Sequence, residues 1–255
     1  MGLDAVVACN CLVRGVAQPA PMPVLIGEDG WLVPVDEADW ETFERWQHDC
    51  CSHPDLTHTS VRIGNWAMYR SFQEALEETE SSGARFPTLQ RVLPGANGGL
   101  VLPVDARACL EELDTFRRTY RHERPVLVDA SSGEVIHEYL STYQGVFAAL
   151  GSEDIELGFD QEGLYVVPAG TRAVIFQARR VELRADAGGG TELVDLDTGR
   201  SFLTRHPLSV EALAAHPRVE VRASLRTAAD HEVVIDALEQ VFRASIEIGN
   251  PVVWC

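Results

Sequence analysis

Residues 230–254 read DHEVVIDALEQVFRASIEIGNPVVW, and this stretch decides the fold class. Val234, Ile235, Leu238, Val241, Phe242 and Ile246 recur at helical spacing and make one wide apolar face. Asp230 stands where an N-cap belongs, and Gly249, followed by Asn250 and Pro251, stands where a helix stops on a left-handed residue. Val252-Val253-Trp254 then has the composition of a short returning strand. A helix with so broad an apolar face must bury it against another layer, so the segments upstream set the class.

Those segments change period near Pro125. Before it the spacing is mostly helical. Asp36 caps a helix running to about Cys50 that aligns Trp40, Phe43, Gln47 and Cys50. A second helix follows Asn65 and carries Trp66, Tyr69, Phe72 and Leu76; a third starts at Asp105 and aligns Cys109, Leu113, Phe116 and Tyr120. Valine-rich Asp4–Cys9 predicts a short strand, and Val24-Leu25-Ile26 with Trp31-Leu32-Val33 across Gly27–Gly30 predicts a hairpin. After Pro125 the period is two. Val126–Asp129 and Glu134–His137 predict a hairpin, followed by β segments at Leu164–Val167, Arg172–Leu183, Glu192–Leu196, Ser201–Thr204 and Arg218–Leu225. The expected fold is α+β. Residues 1–124 form a helix-rich N-terminal portion with a short strand and a hairpin. Residues 125–255 form an antiparallel β-rich portion closed by the long C-terminal helix. The returning strand leaves a single integrated domain open.

Every one of the 21 positive side chains is arginine, which speaks against Schiff-base chemistry, P-loop nucleotide binding and protein-kinase ion pairs, all of which use a lysine amine. Against them stand 39 carboxylates, giving a net charge of −18. Such a field repels nucleic-acid backbones and anionic lipid surfaces and speeds docking of a basic protein. No basic n-region precedes the apolar run Ala5–Ala8, and no stretch approaches the length of a membrane helix, so the expected location is cytoplasmic. There the six cysteines are expected to be thiols or metal ligands rather than disulfides.

Metal-capable side chains gather in Cys9-Asn10-Cys11 and in His48-Asp49-Cys50-Cys51-Ser52-His53, with His58 beyond. On a strand, Cys9 and Cys11 point to one face; His48 and Cys51 share a face at a helix end, whereas Cys50 belongs to the apolar stripe. A tetrahedral zinc can take Cys9, Cys11, Cys51 and one of His48 or His53. The competing reading makes them small buried thiols and a histidine at a helix C-terminus. A thiolate–imidazole pair from Cys51 or Cys9 with His48 or His53 is a further option. Asp197-Thr198-Gly199 has the letters of an aspartic-protease loop, but that chemistry needs two such loops and one is present, so a hairpin turn is expected. Two arginine groups, Arg117/Arg118/Arg121/Arg124 and Arg179/Arg180/Arg184, suit either an anion or the chain's own carboxylates.

Two functional expectations follow. One is an acidic protein-binding module that neutralises a basic protein partner, as immunity and antitoxin proteins do. The other is a zinc- or thiol-dependent enzyme built on Cys9, Cys11, His48, Cys51 and His53.

Overall fold

The computed structural model describes residues 2–80, 85–139, 144–150, 155–205, 208, 213 and 215–255. In chain order they form β1 (Gly2–Ala8), β2 (Val24–Ile26), β3 (Leu32–Pro34), α1 (Trp40–Asp49), β4 (Thr57–Asn65), α2 (Trp66–Glu80), α3 (Pro87–Val92), β5 (Leu100–Val101) and α4 (Pro103–Thr119). Strands β6 (Arg121–Asp129), β7 (Val135–Glu138), β8 (Val146–Leu150), β9 (Ile155–Asp160), β10 (Gly163–Pro168), β11 (Phe176–Ala178), β12 (Arg180–Ala185), β13 (Thr191–Asp195), β14 (Ser201–Leu203) and β15 (Arg218–Thr227) follow. The chain ends in α5 (Glu232–Ile248) and β16 (Val252–Trp254). The class is α+β with a long closing helix. Among the described residues no helix is long and apolar enough to cross a membrane.

Two compact units divide the chain: residues 1–122 with 227–255, and residues 123–226. Helix α5 belongs with residues 1–122 in the first unit. The cause is its apolar face. Val234, Ile235, Leu238, Val241 and Phe242 are buried in one core with Leu3, Ile63, Tyr69, Phe72, Leu113 and Phe116. Each such side chain contributes about 1.5–3 kcal/mol on leaving water, so the helix goes where that core is. The strand that follows it, β16, lies between β1 and β5 in an antiparallel sheet of order β4-β1-β16-β5. Along β1, Leu3, Ala5 and Val7 face the core, while Asp4 on the opposite face pairs with its cross-strand neighbour Arg62 at 2.9 Å.

Local differences from expectation have local causes. The N-cap upstream of α5 is Thr227, not Asp230; Asp230 sits at the third position of a short 3-10 turn and its carboxylate accepts the Thr227 N–H at 2.7 Å. Gly249 ends α5 at φ +83° and returns its N–H to the Ser245 carbonyl, as the sequence suggested. Trp40 is 44% exposed, whereas Phe43 and Cys50 of the same stripe are buried.

In the second unit, β11-β10-β9-β8 make one antiparallel sheet and β14-β13-β12-β15-β6-β7 another. Leu157, Phe159, Leu164 and Val166 of the first share a core with Leu127, Val181, Leu193 and Val219 of the second. The single segment expected over Arg172–Leu183 is split: Phe176–Ala178 belongs to one sheet and Arg180–Ala185 to the other. Asp197-Thr198-Gly199 is a hairpin turn between β13 and β14, with Asp197 paired to Arg180 at 3.1 Å.

The β6–β7 turn is organised by Asp129. Its carboxylate accepts the N–H groups of Ser132 at 2.7 Å and Ser131 at 2.8 Å, and His216 Nδ1 lies 2.9 Å from its other oxygen. The Ser132 N–H first, then the His216 contact, hold the carboxyl far below the ordinary aspartate range. Ionised Asp129 therefore stabilises the fold at neutral pH. That contribution is complete above the unfolded value of about 3.9 and is lost as the pH falls through it toward the lower folded value. In urea titrations between neutral pH and pH ~3, Asp129→Asn is expected to flatten the acid-side loss of stability relative to the parent. An unchanged slope would remove Asp129 from the cause.

Candidate metal centre

The β1–β4 ladder decides which side chains meet. Its last pair is Ala8 with Thr57, and just beyond it the Cys9 N–H donates to the Leu56 carbonyl at 2.7 Å. The chain leaving β1 therefore runs beside the chain entering β4. Cys9 and Cys11 belong to the first, Cys51 and His53 to the second. Cys9 and Cys11 lie beyond the end of β1 rather than on a strand, and Gly15, at φ +67°, helps turn this segment back, so that the Val16 and Ala17 N–H groups donate to the Cys11 carbonyl at 2.9 and 3.1 Å. The Gln18 N–H then reaches the Cys50 carbonyl at 2.7 Å and ties the two halves together. Asn10 donates to the Ile248 carbonyl at the end of α5 at 2.6 Å, and Asn250 donates to the Ala8 carbonyl at 3.0 Å.

The result is a tetrad. One ligand atom from each of Cys9, Cys11, Cys51 and His53 lies within 4.8 Å of the others, so the four can hold a metal ion. Cys9 Sγ is 3.8 Å from Cys51 Sγ, Cys11 Sγ is 3.2 Å from His53 Nδ1, and Cys51 Sγ is 3.9 Å from the same nitrogen. With zinc–sulfur bonds of about 2.3 Å and zinc–nitrogen bonds of about 2.0–2.1 Å, a tetrahedron has S···S edges near ~3.8 Å and S···N edges near ~3.5 Å. The observed spacings bracket these values. Burial pushes the Cys9 thiol up to about 12 and raises that of Cys11, so both are neutral until a cation displaces their protons.

The surroundings suit a ligand set. His53 presents Nδ1 to the thiols, and its Nε2 lies 3.4 Å from His58 Nδ1. That contact orients the ring and leaves Nδ1 free to ligate. The His53 N–H lies 3.4 Å from Cys51 Sγ, a hydrogen bond that a thiolate ligand accepts. Asp55 and Leu56, immediately after Pro54, both take left-handed backbone angles (φ +50° and +58°) that non-glycine residues adopt at a cost of order 1 kcal/mol or more. Cys9, Cys11, Cys50 and Leu56 form the small buried cluster here, with Trp31, Leu32 and Trp46 packed on it.

His48 is not part of the site. Helix α1 ends at Asp49, so the helical register expected to align His48 with Cys51 stops before Cys51. The His48 ring is exposed and sits 2.9 Å from the Asp49 carboxylate, which raises its pKa. Cys50 is a core residue, 2% exposed, with burial pushing its thiol up to about 11. The spacing that distinguishes His53 is present in the sequence: Cys9-x-Cys11 and Cys51-x-His53 are both i, i+2 pairs. The two arginine groups are largely ion-paired within the chain. Arg117 meets Glu232, Asp236 and Glu239, Arg118 meets Asp114, Arg180 meets Asp197 and Arg184 meets Glu182.

Compared with known proteins, the chain matches no family model, no curated protein and no solved structure.

Proposed function

We propose that this protein is an acidic binding module whose N-terminal lobe, residues 9–56, is held in shape by one structural zinc. The observation that carries the metal is the convergence of Cys9, Cys11, Cys51 and His53 to within 4.8 Å. Three thiolates and an imidazole at these spacings suit zinc better than calcium or magnesium, which take oxygen ligands. Four protein ligands fill a tetrahedral site and leave no position for a substrate or an activated water, which favours a structural ion over a zinc enzyme. The lobe suits such a staple, because beyond the cluster of Cys9, Cys11, Cys50 and Leu56 it buries few large side chains, Phe43 and Met22 among them.

Charge supports the binding role. Between Glu28 and Asp55 nine carboxylates face one arginine, a net −8 in a chain of net −18. Among the described residues only Glu41, with Arg45, and Asp49, with His48, are ion-paired in that stretch. The remaining carboxylates have no counter-charge among the described residues, although Asp29 and Asp36 each accept a backbone N–H, and this fits a neutralising role of the immunity or antitoxin kind.

Elemental analysis of protein purified without chelator tests the metal. One zinc per chain is expected. His53→Ala and Cys51→Ser should lose it, and His48→Ala should retain it. Absence of stoichiometric zinc from the parent protein, or its loss from His48→Ala, would overturn the assignment.

A further inference from the structure

The hairpin of β2 and β3 presents an apolar face outward. Residues directly opposite in an antiparallel pair share a face, so Leu25 and Val33 lie together, with Val35 two residues on from Val33. Leu25 is 58% and Val35 57% exposed. On the other face Pro34 is buried and Leu32 packs partly on the Cys9/Cys11/Cys50 cluster, while Ile26, the partner of Leu32, is left uncovered at the turn end. Soluble hairpins normally turn their polar side out, so this arrangement is inverted. Both outer edges of the two-stranded sheet also lack a neighbouring strand among the described residues. An exposed apolar face beside free edges is an interaction surface or a liability.

Its acidic borders indicate the partner. Glu28 and Asp29 stand at the turn end of the hairpin, and Asp36, Glu37 and Asp39 follow its open end. None of the five is ion-paired within the chain among the described residues. Carboxylates without counter-charges at both ends of an apolar strip complement a segment with apolar side chains between basic ones. They oppose a second copy of this acidic surface, because like charges would meet.

We infer that the Leu25/Val33/Val35 face, bounded by Glu28, Asp29, Asp36 and Glu37, is the docking surface for an extended, arginine- or lysine-rich protein segment that inserts apolar side chains. This rests on the binding role proposed above and names the surface and partner chemistry for it.

The probe is a short blocked peptide alternating arginine with leucine or valine, with a glutamate-for-arginine peptide as control, read by fluorescence anisotropy on the full chain. The basic peptide is expected to bind saturably and the acidic one not at all. Affinity should fall about tenfold or more from low to high salt, as for a charge-steered contact. Leu25→Ser with Val33→Ser should weaken it at least about tenfold, no more than the effect of uncovering one apolar side chain. Both side chains are exposed, so this variant keeps its fold and its zinc. No saturable binding, or equal binding by the variant, overturns the proposal. So does a dimeric parent that the variant makes monomeric, since a second copy would then cover the face. Peptide binding by a parent protein without zinc would leave this surface standing and remove the metal reading alone.

Discussion

Stripping the proposed zinc with a chelator is expected to unfold residues 9–56 while the sheet of β1, β4, β16 and β5 stays paired. The two parts are held by different forces. The sheet is covered by a core of more than two dozen buried residues, most of them from β1, α2, α4 and α5 and the rest from the sheet's other strands, α3 and the connecting segments. The lobe has a buried cluster of four, with Trp31, Leu32, Trp46 and Cys51 partly packed on it. A cluster this small makes the lobe depend on its cross-link, and structural zinc in small domains supplies an apparent ~10–16 kcal/mol. Trypsin reports the difference, because Arg45 lies in α1 within the lobe and Arg117 in α4 outside it. Cleavage after Arg45 should accelerate at least about a hundredfold on metal removal and return to its starting rate when zinc is restored, as for a locally opening segment. Cys11→Ser should behave as the stripped protein does. Equal cleavage with and without zinc would show that the lobe stands on its own packing.

The second large effect belongs to Phe116. It is 0% exposed, stacks on Tyr120 with ring centroids 4.7 Å apart, and meets the edges of Phe72 at 5.3 Å and Phe86 at 5.7 Å. Phe116→Ala leaves a cavity among side chains from α2, α3 and α4 and is expected to cost about 3–5 kcal/mol. All five tryptophans lie in the first unit, so their fluorescence in a urea titration follows that unit alone. A loss below about 1 kcal/mol would mean that the neighbouring rings close over the gap.

The helices were legible because their burial is periodic. Cys109, Leu113, Phe116 and Tyr120 of α4 were all named from spacing and all are buried. The β2–β3 hairpin was legible from its turn residues, though nothing in its letters said which face would stay uncovered. Strand β4 was not read, because THTSVRIGN is mostly polar and only Val61 and Ile63 of it are buried. That omission hid the site. Without the pairing of β4 to β1 there was no reason for Cys9 and Cys11 to meet Cys51 and His53, and a helix-based alignment favoured His48 equally. The split of residues 172–183 between two sheets was hidden for a related reason. Strand composition is local, whereas the choice of sheet depends on distant partners.

The placement of β16 constrains how the molecule is made. It occupies an interior position of its sheet, between β1 and β5, yet it follows both of them, and residues 123–226, along the chain. A nascent chain that has emerged through α4 holds both flanking strands with a gap between them, and its apolar helices have no α5 to cover. Residues 123–226 emerge complete before that gap can close. Residues 123–226 can thus fold on the growing chain before the first unit is whole, and residues 1–122 wait for β16 to fill their sheet.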